Sequence, residues 1–289
     1  MNVATLEALE QDIERIGALE AGAQLPHDAL RLVEQLLVAL ERGEVRAARR
    51  DADGRWHAVP WVKRGILLGF RVGQMVEMSV ALTGALSSFT FFDKSTFPPR
   101  SFRADNGVRI VPGGSAVRRG AYLAPGVICM PPMYVNVGAW VGEGSMIDSH
   151  ALVGSCAQVG ARVHVSAAAQ LGGVLEPVNA SPVIVEDEAL VGGNVGIYEG
   201  TIVRTRAVIG AGVVLTRATP VYDLVREIVY RGSAENPLEI PAGAVVVPGA
   251  RMVRGEWAER EGLSIQTPVV VKYRDDRTDT ATALEQWLR

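Results

Sequence analysis

A period of six residues runs through the middle of this chain and leaves few folds open to it. From Val111, every sixth residue reads Val111, Val117, Leu123, Cys129, Val135, Val141, Ile147, Val153, Val159, Val165 and Leu171. All but the cysteine are aliphatic. Four positions further on stand Ser115, Ala121, Val127, Met133, Ala139, Ser145, Ala151, Ala157, Val163 and Ala169, nearly all small. The pattern resumes in a new frame at Val185, Val191, Ile197, Val203, Ile209, Leu215 and Val221, with Ala189, Val195, Thr201, Ala207, Val213 and Thr219 as partners. A period of six matches neither the 3.6 of a helix nor the 2.0 of a strand. It matches a solenoid in which each hexad supplies one flat strand and one corner, and three hexads close a triangular coil. The aliphatic residue points inward, the small one lets the chain turn, and stacked coils share one core. The expectation is a mainly β protein built on a left-handed parallel β-helix over residues 106–222.

The flanks follow other rules. In residues 1–105, Leu6, Leu9, Ile13 and Ile16 recur at helical spacing, as do Leu30, Leu32, Val33, Leu36, Leu37 and Leu40. Asp28 is a candidate cap for the second helix and Gly43 a candidate stop. A β-like stretch at 46–59 is broken by Asp53-Gly54, and helix returns from Trp61 to Met75. Residues 88–108 read as a connector packed on the next domain. The C-terminal extension, 223–289, holds strand-like runs at 241–251 and 268–273 and a possible short helix at 279–289.

With 289 residues, 48 % apolar and 21 % charged, the chain has a globular composition. A net charge of −3 offers no basic surface for nucleic acid or an anionic membrane. No run of apolar residues is long enough to span a bilayer. The N-terminus lacks the layout of a signal peptide, so a cytoplasmic protein is expected. Cys129 and Cys156 sit in no CxxC and read as reduced and buried. There is no Walker loop and no strand-linked GxGxxG. Of the four histidines, only His150 and His164 lie on the repeat, so a three-histidine zinc site is not formed within it and no metal is expected. Both read as surface or interface residues, with His150 the closer in sequence to Asp148.

Chemistry is sought where the repeat breaks. From Leu171 to Val185 is two residues more than two hexads, so Gly172 to Pro182 should bulge out, as a ligand-contacting loop or a neutral insertion. Asp148 follows inward Ile147 where small residues are common. It reads either as a solvated corner acid or as a general base for an amine nucleophile.

The stretches GVRIVPGGSAVRRGAYLAPGVICMPPMYVNVGAWVGEGSMIDSHALVGSCAQVGARVHVS and GGVLEPVNASPVIVEDEALVGGN carry a specific likeness. The chain resembles the tetrahydrodipicolinate N-succinyltransferase family of hexapeptide-repeat acyltransferases over roughly residues 40–250. That resemblance implies transfer of succinyl from succinyl-CoA, a co-substrate rather than a tightly bound cofactor, to tetrahydrodipicolinate. It implies a homotrimer with sites between adjacent β-helices. Arg109, in VRIVP, corresponds to a substrate-binding arginine, whose fork suits a carboxylate. Asp148, in MIDS, corresponds to a substrate-site residue and the base. Gly172, Gly173, Ser155 and Ala157 are the candidate contacts for coenzyme A. The family pattern has a second acid where this chain has Gly196, and the nearest acid is Glu199, the candidate stand-in. Acetyl-CoA as donor, an amino-sugar acceptor, or a non-catalytic binding module are the alternatives on the same scaffold.

Overall fold

The computed structural model describes residues 3–20, 22–78, 80–81, 88–233 and 236–275. The expected helix at 279–289 lies outside them. Three helices open the chain: α1 (Val3–Gly17), α2 (Ala29–Glu41) and α3 (Pro60–Val72). Their apolar stripes meet in one core of Ile13, Ile16, Leu36, Leu37, Val62 and Ile66, all buried. Asp28 stands at the N-cap of α2 without a side-chain cap bond. Gly43, at φ +71°, turns the chain just past that helix. Ala48–Arg50 and Trp56–Ala58 then pair antiparallel around the Asp53-Gly54 turn. Helix α3 ends at Val72, short of the Met75 expected from periodicity, and Met75–Glu77 is a strand instead.

The six-residue period is a parallel β-helix of two-residue strands on three faces. Face I carries Arg109–Ile110, Ile128–Cys129, Met146–Ile147, His164–Val165, Leu190–Val191 and Val208–Ile209. Face II carries Ala116–Val117, Tyr134–Val135, Leu152–Val153, Gln170–Leu171, Gly196–Ile197 and Val214–Leu215. Face III carries Tyr122–Leu123, Trp140–Val141, Gln158–Val159, Ile184–Val185, Ile202–Val203 and Glu239–Ile240. The second residue of each regular strand points inward. It shares one core with the small residues four positions on, such as Ala151, Ala157, Val163 and Ala169.

The corners share one backbone conformation. Three residues after the inward position, φ is positive in hexad after hexad, at His150, Cys156, Arg162, Ala168, Glu188, Asn194 and Arg206, with Gly120, Gly126, Gly138, Gly144 and Gly212 in the same place. A left-handed backbone residue at every corner is unfavourable for non-glycine residues, so the stacked core must hold each one in place. The glycines directly after the inward residue do something else. A Cβ on Gly154 would stand 2.2 Å from the Gly173 nitrogen; glycine there permits the close approach of the next coil.

Three details depart from the expected register. Ile110, not Val111, aligns with inward Cys129, so the extra residue is taken up by Pro112-Gly113-Gly114, where both glycines have positive φ. The frame break is larger than it reads. Leu171 on face II is followed by Val185 on face III, a step that takes six residues in the coils on either side and fourteen here. The loop is therefore an insertion of eight, since counting modulo six cannot register a missing hexad. The parallel ladder also runs past 222. Val221–Asp223 leaves the coil to pair with Ile228–Tyr230 and Ser264–Tyr273, and the coil resumes at Glu239–Ile240 and Val245–Val246. The runs at 241–251 and 268–273 form one antiparallel pair, Ala244–Met252 with Ser264–Tyr273.

The helical layer packs against face III and the edge between faces II and III. Val137 and Cys156 belong to the helical core, and Arg119 joins Glu34 at 2.8 Å and Glu41 at 3.0 Å. No helix among the described residues is long and apolar enough to cross a membrane.

Candidate active site

Asp148 stands on the edge where face I turns into face II. Its backbone is spent on the coil, the N–H donating to Val165 O at 2.9 Å and the C=O accepting from Ala151 N at 3.1 Å. One carboxylate oxygen accepts from the Ser149 N–H at 2.7 Å, and the other lies 3.7 Å from His164 Nε2. The carboxylate is partly exposed, so it is aimed and still reachable. His150, the nearer histidine in sequence, turns away at the corner with φ +62° and donates its backbone N–H to Pro132 O. Sequence reasoning missed His164. The signal was available: one coil is eighteen residues, so residue 164 stacks on residue 146, two positions from Asp148.

Arg109 rises from the outer row of the same face. Its ladder runs through Ile128 to Met146, so it stands two coils from the strand that carries Asp148. At about 4.8 Å per strand that is roughly 10 Å along the axis. Its side chain is exposed and makes no hydrogen bond or ion pair among the described residues. A free guanidinium and a half-exposed carboxylate on one face suit a ligand carrying a carboxylate at one end and an amine at the other.

The other candidates gather on the edge between faces II and III. Ser155 and Gly173 are in backbone contact, with Val174 N donating to Ser155 O at 3.1 Å. Gly172 N donates to Ile197 O at 2.8 Å in the next coil. Ala157, in contrast, is fully buried in the β-helix core. Its N–H and C=O are both used by Gly154 and Trp140, so any ligand contact at this edge falls to its surface neighbours and not to Ala157. Glu199 is exposed and accepts from Arg217 N at 3.0 Å. It lines a cavity of about 210 Å³ with Trp56, Ser181 and Arg217. At Gly196, Tyr198 explains the missing side chain: a Cβ there would lie 2.5 Å from the Tyr198 ring, which also covers Gly172.

The inserted loop is tied to the helices rather than to face I. Leu175 packs on the helical core. Lys63, fully buried in α3, donates from Nζ to Ala180 O at 2.6 Å. Burial pushes the Lys63 amine below its ordinary range. Asp148 and the loop edge are thus one hexad apart, with face II between them, and the single chain does not bring them together.

Neither cysteine is placed for nucleophilic work. Cys129 lies in the β-helix core and Cys156 in the helical core, and burial pushes both thiols up to about 12. Without a thiolate there is no sulfur nucleophile.

Comparison with known proteins gives concordant results. Residues 7–72 match the family model described as tetrahydrodipicolinate N-succinyltransferase N-terminal, and residues 182–217 match the hexapeptide repeat of succinyl-transferase. Among curated relatives, the 2,3,4,5-tetrahydropyridine-2,6-dicarboxylate N-succinyltransferase of Bradyrhizobium diazoefficiens is 42 % identical over 262 residues, covering 89 % of each chain. The enzyme of the same name from Nitrobacter winogradskyi is 41 % identical with the same coverage. That of Albidiferax ferrireducens is 40 % identical over 276 residues, 93 % of each chain.

Proposed function

The chain belongs to the 2,3,4,5-tetrahydropyridine-2,6-dicarboxylate N-succinyltransferase family, and we propose that Asp148, Arg109 and His164 form the acceptor half of its active site. The protein is an acyltransferase. It moves succinyl from succinyl-CoA to tetrahydrodipicolinate, giving N-succinyl-2-amino-6-oxopimelate and CoA, in the diaminopimelate route to L-lysine. The placing of a free Arg109 guanidinium and the Asp148 carboxylate on one face, two coils apart, is the observation that carries the site assignment.

In this reading Arg109 holds a carboxylate of the ring-opened acceptor through its two-pronged fork. The amine nitrogen lies at Asp148. As that nitrogen attacks the thioester carbon, its proton passes to the Asp148 carboxylate, the C–N bond forms and the carbonyl becomes an oxyanion. Collapse breaks the C–S bond and releases CoA, whose sulfur takes up a proton. The pair distance of 3.7 Å from His164 to Asp148 exceeds a hydrogen bond, so His164 stands beside the base without bonding to it. Transfer is direct, because the buried thiols offer no acyl-enzyme route.

The donor edge is made by Ser155, Gly172 and Gly173, with Glu199 one coil beyond. A thioester held there lies across face II from the Asp148 of its own chain. A homotrimer, with adjacent β-helices side by side, sets the donor edge of one subunit against the Asp148 of the next. Succinyl-CoA binds as a co-substrate, and the reaction is placed in the cytoplasm.

Asp148→Asn keeps the shape and removes the base. Turnover with succinyl-CoA should fall at least ~100-fold, the lower range for general acid–base groups, with little change in KM for the donor. His164→Ala should lower kcat and leave donor KM unchanged. Turnover of Asp148→Asn at the wild-type rate refutes the assignment. Running succinyl-CoA beside acetyl-CoA tests the donor.

A further inference from the structure

Face III carries a side-chain stack that the transfer reaction does not use. The Tyr122 and Trp140 rings stack at 4.0 Å, and the Arg46 guanidinium lies over the Trp140 ring at 4.0 Å and over Trp56 at 5.6 Å. Arg46 Nε donates to Gln158 Oε1 at 3.0 Å. Gln158 is itself fixed, 1 % exposed and donating to Cys156 O at 2.9 Å. The guanidinium is therefore held in one orientation by two rings and an amide. Its terminal nitrogens have no acceptor among the described residues, and Arg46 lines a cavity of about 480 Å³.

The other polar groups of that cavity divide into used and unused. Glu186 is used: it accepts from Trp56 Nε1, Arg204 Nη1, Thr205 N and Thr205 Oγ1 at 2.9–3.0 Å. Arg50 reaches the same carboxylate at 3.6 Å, and Arg204 also pairs with Glu239, so these two arginines and two glutamates cancel. Arg162, outside the lining, pairs with Glu188 at 2.8 Å and also lies in the field of Asp187 and Glu143. Asp187 accepts from the Ala161 N–H with one oxygen and leaves the other uncommitted. Glu143 is exposed; its carbonyl accepts from the Arg162 N–H at 2.8 Å, and its carboxylate makes no hydrogen bond among the described residues, lying only within the field of Arg162. The unspent charge is one fixed guanidinium facing two carboxylates.

A ligand that complements this carries one carboxylate and two ammonium groups. We propose that the cavity binds a basic α-amino acid, its carboxylate on the in-plane edge of Arg46, its α-ammonium at Asp187 and its side-chain ammonium at Glu143. The fork geometry of Arg46 selects a planar carboxylate. Asp187 already lies in the field of Arg46 and Arg162, and Glu143 in that of Arg162, yet the acids around the cavity still outnumber the arginines by one charge, which a cationic ligand offsets.

Calorimetry on the full-length protein tests this with three probes of one length: L-lysine, L-norleucine, which lacks the second ammonium, and cadaverine, which lacks the carboxylate. L-Lysine should give saturable heat, and the other two should bind roughly tenfold more weakly or worse, the loss of one charge-assisted contact each. Glu143→Gln, at an exposed position where folding is not at stake, should weaken L-lysine roughly tenfold and leave L-norleucine unchanged. Arg46→Gln should abolish the preference for L-lysine over cadaverine. Absence of saturable L-lysine heat, equal affinity for the three probes, or unchanged L-lysine binding in Glu143→Gln overturns the proposal.

Discussion

Gly154→Ala probes the closest contact between coils. Gly154 is buried, directly after inward Val153, and its φ is not positive. By conformation alone alanine would be tolerated there, and its smaller unfolded-state entropy would stabilise by about 0.4–1 kcal/mol. Contact reverses the sign. The new Cβ would lie 2.2 Å from Gly173 N, 2.6 Å from Gly173 Cα and 2.7 Å from Gly172 C. All three are backbone atoms in the next coil, so no rotamer change relieves them. Restoring an ordinary separation of about 3.4 Å requires the coils to part by roughly 1 Å, which takes the 2.8 Å bond from Gly154 N to Leu171 O beyond hydrogen-bonding range. Overpacking costs about 1–3 kcal/mol and the lost bond about 1 kcal/mol, for a total of about 2–4 kcal/mol. Gly212→Ala is the control. It has φ +76° and open space around it, so only the left-handed penalty of about 1–2 kcal/mol applies. Urea midpoints at one protein concentration compare the two variants, and coenzyme A affinity follows the displacement of Ser155 and Gly173. If Gly154→Ala is no more destabilising than Gly212→Ala, coil-to-coil contact is not what glycine serves at that position.

Arg109→Lys keeps the charge and loses the fork, so KM for the acceptor should rise roughly tenfold or more with kcat nearly unchanged; a loss confined to kcat would remove Arg109 from substrate binding. Burial lowers the Lys63 pKa, so between that lowered value and the ordinary range near 10.4 the unfolded chain holds more protons and stability rises with pH. Lys63→Met should remove that rise in urea midpoints and speed hydrogen exchange in the loop held at Ala180. Glu186 is opposed by burial, yet bonds from Trp56, Thr205 and Arg204 hold its pKa below the usual value. Its contribution is full above the ordinary glutamate pKa and is lost as pH falls through the depressed one. Glu186→Gln should therefore lose about 3 kcal/mol at neutral pH and show a shallower acid transition in midpoint against pH.

The architecture of the middle region was legible because a solenoid writes its repeat into the chain. Val153, Val159, Val165 and their small partners are inward at the spacing read from the sequence, since each coil meets only its neighbours and each hexad is solved locally. The helical stripes of α1 and α2 were legible for the same local reason. Counts that depend on whole turns were not. The length of the loop after Leu171 was read modulo six, so an insertion of eight registered as two. The coil that resumes at Glu239 was hidden behind the excursion of Val221–Asp223, which pairs with residues some fifty positions away.

The site divides along the same line. Asp148 stood out in the sequence as an acid at a corner usually given to a small residue, and its exposure on the edge of face I agrees with that. Its partner did not stand out, because proximity between coils is measured in steps of eighteen residues and not in neighbours along the chain. His150 is close in number and turned away; His164 is sixteen positions on and 3.7 Å off. From Val117 to Leu215 the sequence alone determined which side chains point in and which point out, whereas at the first coil it placed Val111 where Ile110 stands. Only the stacking of the coils decided which outward residues share an edge, that Ala157 is sealed in the core while Ser155 lies on the edge between faces II and III, and that the helices grip the loop through Lys63. Those are relations between segments distant in the chain, and packing, not local pattern, sets them.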